Sequence, residues 1–157
     1  MNKRSVVRST AVAALAAGSV LAGAGTGHAT EFYFSPEQRI YTLAEQPQCL
    51  GGTVDVKVNR NDSRPNIIAA DFTTHLYNPA WSGSANYECF LTIDAAWRNH
   101  TTGASGVLAH QVASWRFQGP NIRNPYVDID TGAGPVTVTF TTRTAHAPSP
   151  TFEVPAI

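Results

Sequence analysis

Polar and apolar residues alternate with a period of two along most of this chain, and that rhythm restricts the fold more than any other feature. In Thr53-Val54-Asp55-Val56-Lys57-Val58-Asn59 the valines stand at every second position. Side chains of an extended strand point to opposite faces in turn, so the segment predicts a strand with one dry and one wet face. From Tyr87 to Trp97, Tyr87, Cys89, Leu91, Ile93, Ala95 and Trp97 alternate with Glu88, Thr92, Asp94 and other residues. Val136, Val138 and Phe140 alternate with threonines, and Tyr126-Val127-Asp128-Ile129-Asp130 repeats the pattern over a shorter run. Residues 67–77 and 107–117 are less regular but rich in β-branched and aromatic side chains, and Phe152 and Val154 predict a closing strand. A helical 3.6-residue repeat is nowhere sustained, although Ser35-Pro36-Glu37-Gln38 suits a single helical turn.

Breakers separate these runs: Asn61-Asp62-Ser63-Arg64-Pro65-Asn66, residues 101–106, Gly119-Pro120-Asn121, and Thr131-Gly132-Ala133-Gly134-Pro135. Two of them read as hairpin loops, one joining strands 87–98 and 107–118, the other a tight turn at Gly132-Ala133-Gly134. The expected class is all-β. It would be a single antiparallel β-sandwich, immunoglobulin-like in the broad sense, or a partly closed barrel, of about seven to eight strands.

The first 29 residues stand apart. Lys3, Arg4 and Arg8 precede an Ala-rich uncharged run with Val12, Leu15, Val20 and Leu21, which ends in Gly27-His28-Ala29. A basic start, a short apolar stretch and small residues before the cut describe a secretory signal peptide cleaved after Ala29. Gly18 and the many alanines make it a poor membrane anchor. Residues 30–157 then form one secreted domain, outside the cell or in its envelope. The 11 basic residues of the whole chain fall to 8 once the leader leaves, against 11 acidic ones, for a formal charge of −3. A mildly acidic surface without basic runs argues against nucleic acid as a partner. No later segment is apolar enough to span a bilayer.

Both cysteines, Cys49 and Cys89, lie in the secreted part. In an oxidising compartment such a pair reads as a disulfide. Closing a loop of about 41 residues is worth ~4 kcal/mol in the chain-entropy treatment. Cys89 shares the parity of Leu91, Ile93 and Trp97, so its sulfur should face the core, pinning the start of the 53–59 strand against it.

Ala85-Asn86-Tyr87-Glu88-Cys89 resembles the tyrosine corner of immunoglobulin domains, in which a tyrosine two residues before the second cysteine bonds back to the main chain. The tryptophan expected after the first cysteine is missing, and too many strands follow Cys89. The leader, the threonine-rich strands and the Thr-Gly-Ala-Gly-Pro-Val-Thr-Val-Thr run together resemble small exported β-sandwich proteins of actinobacterial type. That resemblance implies an exported location and no particular chemistry.

Asp130-Thr131-Gly132 resembles the aspartic peptidase motif, but peptidase chemistry needs two carboxylates sharing a proton. Too little chain follows to build a flap, so a turn is the better reading. Asp128 and Asp130 share a strand face, yet two carboxylates fall short of the six or more oxygens that calcium takes. Asp71 and His75 share a face with no nucleophile motif to complete a triad. Asn99-His100-Thr101 matches a glycosylation acceptor by chance under a bacterial leader. No catalytic residue, metal ligand or cofactor site is therefore assigned.

The segment from Tyr77 to Tyr87 combines aromatics with Asn, Ser and Gly between two strands, the composition of loop-borne recognition surfaces. Its ligand-binding candidates are Tyr77, Asn78, Trp81 and Asn86. The competing role for Trp81 is a plug folded into the end of the sandwich. Residues 121–126 offer a second, lesser patch. The expected function is a non-enzymatic domain that binds a protein or glycan outside the cell through loops at one end. The alternative is an inhibitor of an extracellular hydrolase.

Overall fold

Val54, Val56 and Val58 have no exposed surface, and neither do Leu91, Ile93, Val136, Val138 and Phe140. These two sets come from two antiparallel sheets whose inner faces meet. The computed structural model describes residues 30–77, 89–114 and 125–157. The proposed leader, Tyr87 of the tyrosine corner, and the ends of two expected strands at 87–88 and 115–118 lie outside the described residues.

Ten strands occur among the described residues: β1 (Phe32–Phe34), β2 (Gln38–Thr42), β3 (Gly51–Asn61), β4 (Ile67–Tyr77), β5 (Cys89–Asn99), β6 (Ser105–Ser114), β7 (Tyr126–Asp130), β8 (Val136–Thr142), β9 (His146–Ala147) and β10 (Thr151–Val154). One sheet runs β7-β4-β3-β2-β9, with β1 also paired to β3, and the other runs β10-β8-β5-β6. The sheets are packed on each other and do not close into a barrel. This strand order differs from the ABED and CFG sheets of an immunoglobulin domain. β3 and β4 form a hairpin within one sheet, while β4 pairs with β7 and β5 with β8 in a nested arrangement.

The core is the inward row of each strand. Ile40, Ile68, Ala70, Phe72 and Ile129 join the β3 valines from one side, and Ala95, Val112, Phe152 and Val154 complete the other. Phe72 bridges the layers, meeting Phe140 edge-on at 5.7 Å, and Phe140 meets Phe152 likewise at 5.8 Å. Edge-to-face contacts add to the area that these rings bury. Trp97 packs against the core from a half-buried position, with its indole beside Gly106.

Three expectations need correction. The count of seven to eight strands omitted the short β1 and β9, along with β2. Ser35-Pro36-Glu37 makes no helical turn but a break between β1 and β2, both of which pair with β3. Pro36 has no N–H to offer a ladder, and the flanking Ser35 is held by main-chain and hydroxyl bonds to Val58 at 2.9 Å. Gly132-Ala133-Gly134 is not a hairpin turn: β7 and β8 belong to different sheets, so the loop carries the chain from one layer to the other. The hairpin between β5 and β6 is as expected, in register from Cys89 opposite Ser114 to Arg98 opposite Ser105.

Buried polar groups fix that crossing. Asn99, fully buried, donates through Nδ2 to the carbonyls of Thr131 and Ala133 and accepts through Oδ1 from the N–H of Thr101 and Thr102. Arg60, 1% exposed, donates to the carbonyls of Gly134 at 2.5 Å and Pro155 at 3.0 Å and to the Thr131 hydroxyl at 3.0 Å. It has no carboxylate partner among the described residues. Burial lowers its guanidinium pKa below the ordinary value.

Candidate functional site

One end of the sandwich is built differently from the rest. β8 pairs with β5 only from Ile93 onward, which leaves residues 89–92 of β5 without a strand on that side. The chain between β2 and β3, together with Arg143 just after β8, supplies the missing partners. The side-chain oxygen of Gln46 accepts from the Phe90 N–H at 2.8 Å, and Glu45 accepts from the Thr92 N–H at 2.6 Å. The Glu45 N–H donates to the Phe90 carbonyl, and the Arg143 N–H to that of Thr92. Two side chains and two main-chain N–H groups thus imitate a strand edge along these four residues.

The same loop is tied at its other points. Cys49 and Cys89 are joined, with Cα atoms 5.9 Å apart, as the sequence predicted. The Leu43 N–H donates to the Ala145 carbonyl and the Leu50 N–H to that of Tyr77. Thr42 and Thr142 share a hydroxyl contact of 2.8 Å between the sheets. Gly51, at φ 117°, continues the loop into β3 where a Cβ would collide with the Thr42 carbonyl, and a Cβ on Gly52 would strike that of His75. Only glycine fits either position.

On this rigid base stand four large side chains, Tyr41, Leu43, Leu50 and Tyr77, each between 52% and 59% exposed. Tyr77 faces solvent at the end of β4, where the sequence placed the start of a recognition loop. The other three candidates, Asn78, Trp81 and Asn86, lie outside the described residues, as do residues 121–124 of the lesser patch. Tyr126 of that patch is exposed on the outer face of β7. Leu43 and Leu50 were missed because isolated leucines between breakers carry no periodic signal.

The outer face of the larger sheet is polar and internally paired. Arg39 grips Asp55 with two hydrogen bonds, at 2.5 and 2.8 Å, and this contact holds the Asp55 carboxyl below its ordinary range. Glu37 pairs with Lys57 at 2.9 Å and raises the pKa of its ammonium. Asp71 and His75 lie on one face as expected, but four residues apart on a strand they stand about 13 Å from each other. Asp71 accepts from Asn59 instead, and His75 lies opposite Thr53.

The remaining motifs have structural partners. Asp128 pairs with Arg64, and Asp130 accepts from Asn66 and from the N–H of Gly132 in the crossing loop. The Asp-Thr-Gly residues therefore end β7 and open the crossing loop, with Thr131 directed inward to Arg60. His100 contacts Thr137 at 2.7 Å, His146 contacts the Thr144 carbonyl and Ser149, and His110 stacks on Phe72. The nitrogen of Asn99 that a glycan would occupy is buried and spent on two carbonyls.

No protein family, curated protein or solved structure matches this chain.

Proposed function

We propose that the chain is an exported, non-enzymatic binding domain that recognises a protein or glycan through the end of the sandwich bearing the disulfide. The observation that carries this reading is the clamped 43–50 loop with Tyr41, Leu43, Leu50 and Tyr77 exposed around it. Large apolar side chains on a preorganised base lose little conformational freedom on binding, so their contact area converts efficiently into affinity. The Cys49–Cys89 bond supports an oxidising compartment, in which such bonds persist. Among the described residues no helix is long and apolar enough to cross a membrane. The same rigid loop also favours a second reading, an inhibitor that presents Leu50 beside the disulfide to the cleft of an extracellular hydrolase.

A panel of cell-wall polysaccharides, envelope proteins, secreted proteases and amylases tests both. The expected result is one ligand that raises the thermal midpoint of the oxidised protein. Leu43→Ser and Leu50→Ser should weaken that ligand at least tenfold while leaving stability within about 0.5 kcal/mol, as exposed substitutions do. Stoichiometric loss of hydrolase activity would select the inhibitor. Ligand affinity unchanged in the Leu43→Ser/Leu50→Ser double variant would refute the assigned end.

A further inference from the structure

The terminal strands of the two sheets are not alike. β9 has two residues and leads into Pro148, β1 has three, and β10 has four between Pro150 and Pro155. β7 has five and carries Asp128 and Asp130. Shortness, proline and charge are the ordinary means by which a sheet edge is kept from pairing with another chain. β6 has none of them. It runs for ten residues, Ser105-Gly106-Val107-Leu108-Ala109-His110-Gln111-Val112-Ala113-Ser114, without proline or an Asp, Glu, Lys or Arg. Among the described residues its one strand neighbour is β5, in a full antiparallel ladder. Its outward residues are exposed from Ser105 to Gln111, with Val107 at 68%.

We propose that β6 is the seam of a homodimer, in which two copies pair β6 to β6 and merge their four-stranded sheets into one of eight strands. The occupant must be an extended backbone, because a strand edge offers alternating N–H and C=O groups. A second copy of β6 fits on chemistry. It brings no like charge to the seam, it matches the length, and its side chains match in a permitted register. A two-fold axis normal to a sheet pairs residues of the same face, so paired positions share parity. Centred on His110, which then meets its own copy on the core side, that register sets Leu108 opposite the copy's Val112 and, on the other face, the exposed Val107 opposite its buried Ala113. The half-buried Leu108 then gains an apolar neighbour. Centred on Ala109, the same strands would set Leu108 against His110 and Val107 against Gln111, a poorer match. The His110-centred register also places each Ala109 directly across from the copy's Gln111, both on the exposed face.

Charge reversal across that pair tests the seam and its register together. The oxidised mature protein should sediment as a dimer. Ala109→Lys/Gln111→Lys and Ala109→Glu/Gln111→Glu, each with a thermal midpoint near that of the parent, should be monomeric alone, with self-affinity down at least tenfold. Mixed, they should form a heterodimer, since each Lys then faces a Glu. If a double variant fails to fold, Val107→Lys supplies the same loss of self-affinity at a single exposed position. A monomeric parent, or homodimers that survive in both charged variants, would overturn the proposal. It stands apart from the ligand reading, because the variants change no residue of the disulfide end.

Discussion

Arg60 is the side chain on which most distant segments converge. It sits on the dry face of β3, in step with Val54, Val56 and Val58, and its two terminal nitrogens reach Gly134, Pro155 and Thr131. Removing it takes a donor from two part-buried carbonyls and leaves a cavity beside the core, so Arg60→Ala should cost about 3 kcal/mol. Lysine, a single point donor in place of a fork, should recover only part of that. Urea denaturation reads both; a loss below about 1 kcal/mol for the alanine variant would show that water replaces the guanidinium. Asp55 gives a pH signature. Its folded pKa is depressed by Arg39. Its contribution is therefore present above the unfolded value near 4 and is lost as pH falls through the lower folded value. The stability gap between the parent and Asp55→Asn should be widest at neutral pH and close in acid. A gap that stays constant from pH 7 to pH 2 would argue against the linkage.

At the level of elements, the substitute edge along β5 makes a local prediction. Gln46→Ala and Glu45→Ala should each speed hydrogen exchange at one amide, Phe90 in the first case and Thr92 in the second. The Asp94 amide, already within the β8 ladder opposite Thr141, should change little. Equal acceleration throughout β5 would mean that the loop stabilises the whole sheet rather than its edge. The crossing loop offers another test. Asn99→Asp keeps the acceptor for Thr101 and Thr102 but turns a carboxylate oxygen toward the carbonyls of Thr131 and Ala133, and should destabilise by ~3 kcal/mol. These elements also mark how far the residues could be read unaided. β3, β5 and β8 were legible because a sheet with one dry face writes its pleat into the sequence. β1 and β9 were not, since two or three residues cannot display a period. Gly132-Ala133-Gly134 announces a reversal, but nothing in a turn says whether the next strand stays in its sheet or crosses. Of the binding candidates only Tyr77 falls within the described residues. Leu43 and Leu50 become visible once Cys49, Gly51 and Gly52 are seen to hold their loop against two sheets.

For the molecule as a whole, the disulfide closes 40 residues of separation between the two layers at the proposed binding end. Reduction under native conditions should lower stability by roughly 2–4 kcal/mol, with a fall of about 10 °C in the thermal midpoint. A midpoint unchanged by reductant would mean that the Glu45 and Gln46 bonds suffice without it. The placement of Arg60 has a further consequence, in time rather than in energy. The guanidinium is displayed on the third strand, yet one of its acceptors belongs to a residue 95 positions further on, and β8 waits on β10 in the same way. A polypeptide emerging from a ribosome cannot finish closing this interior until β10 and Pro155 have followed β3 and β8 into the open. The last strand to appear is thus the one that shuts the sandwich.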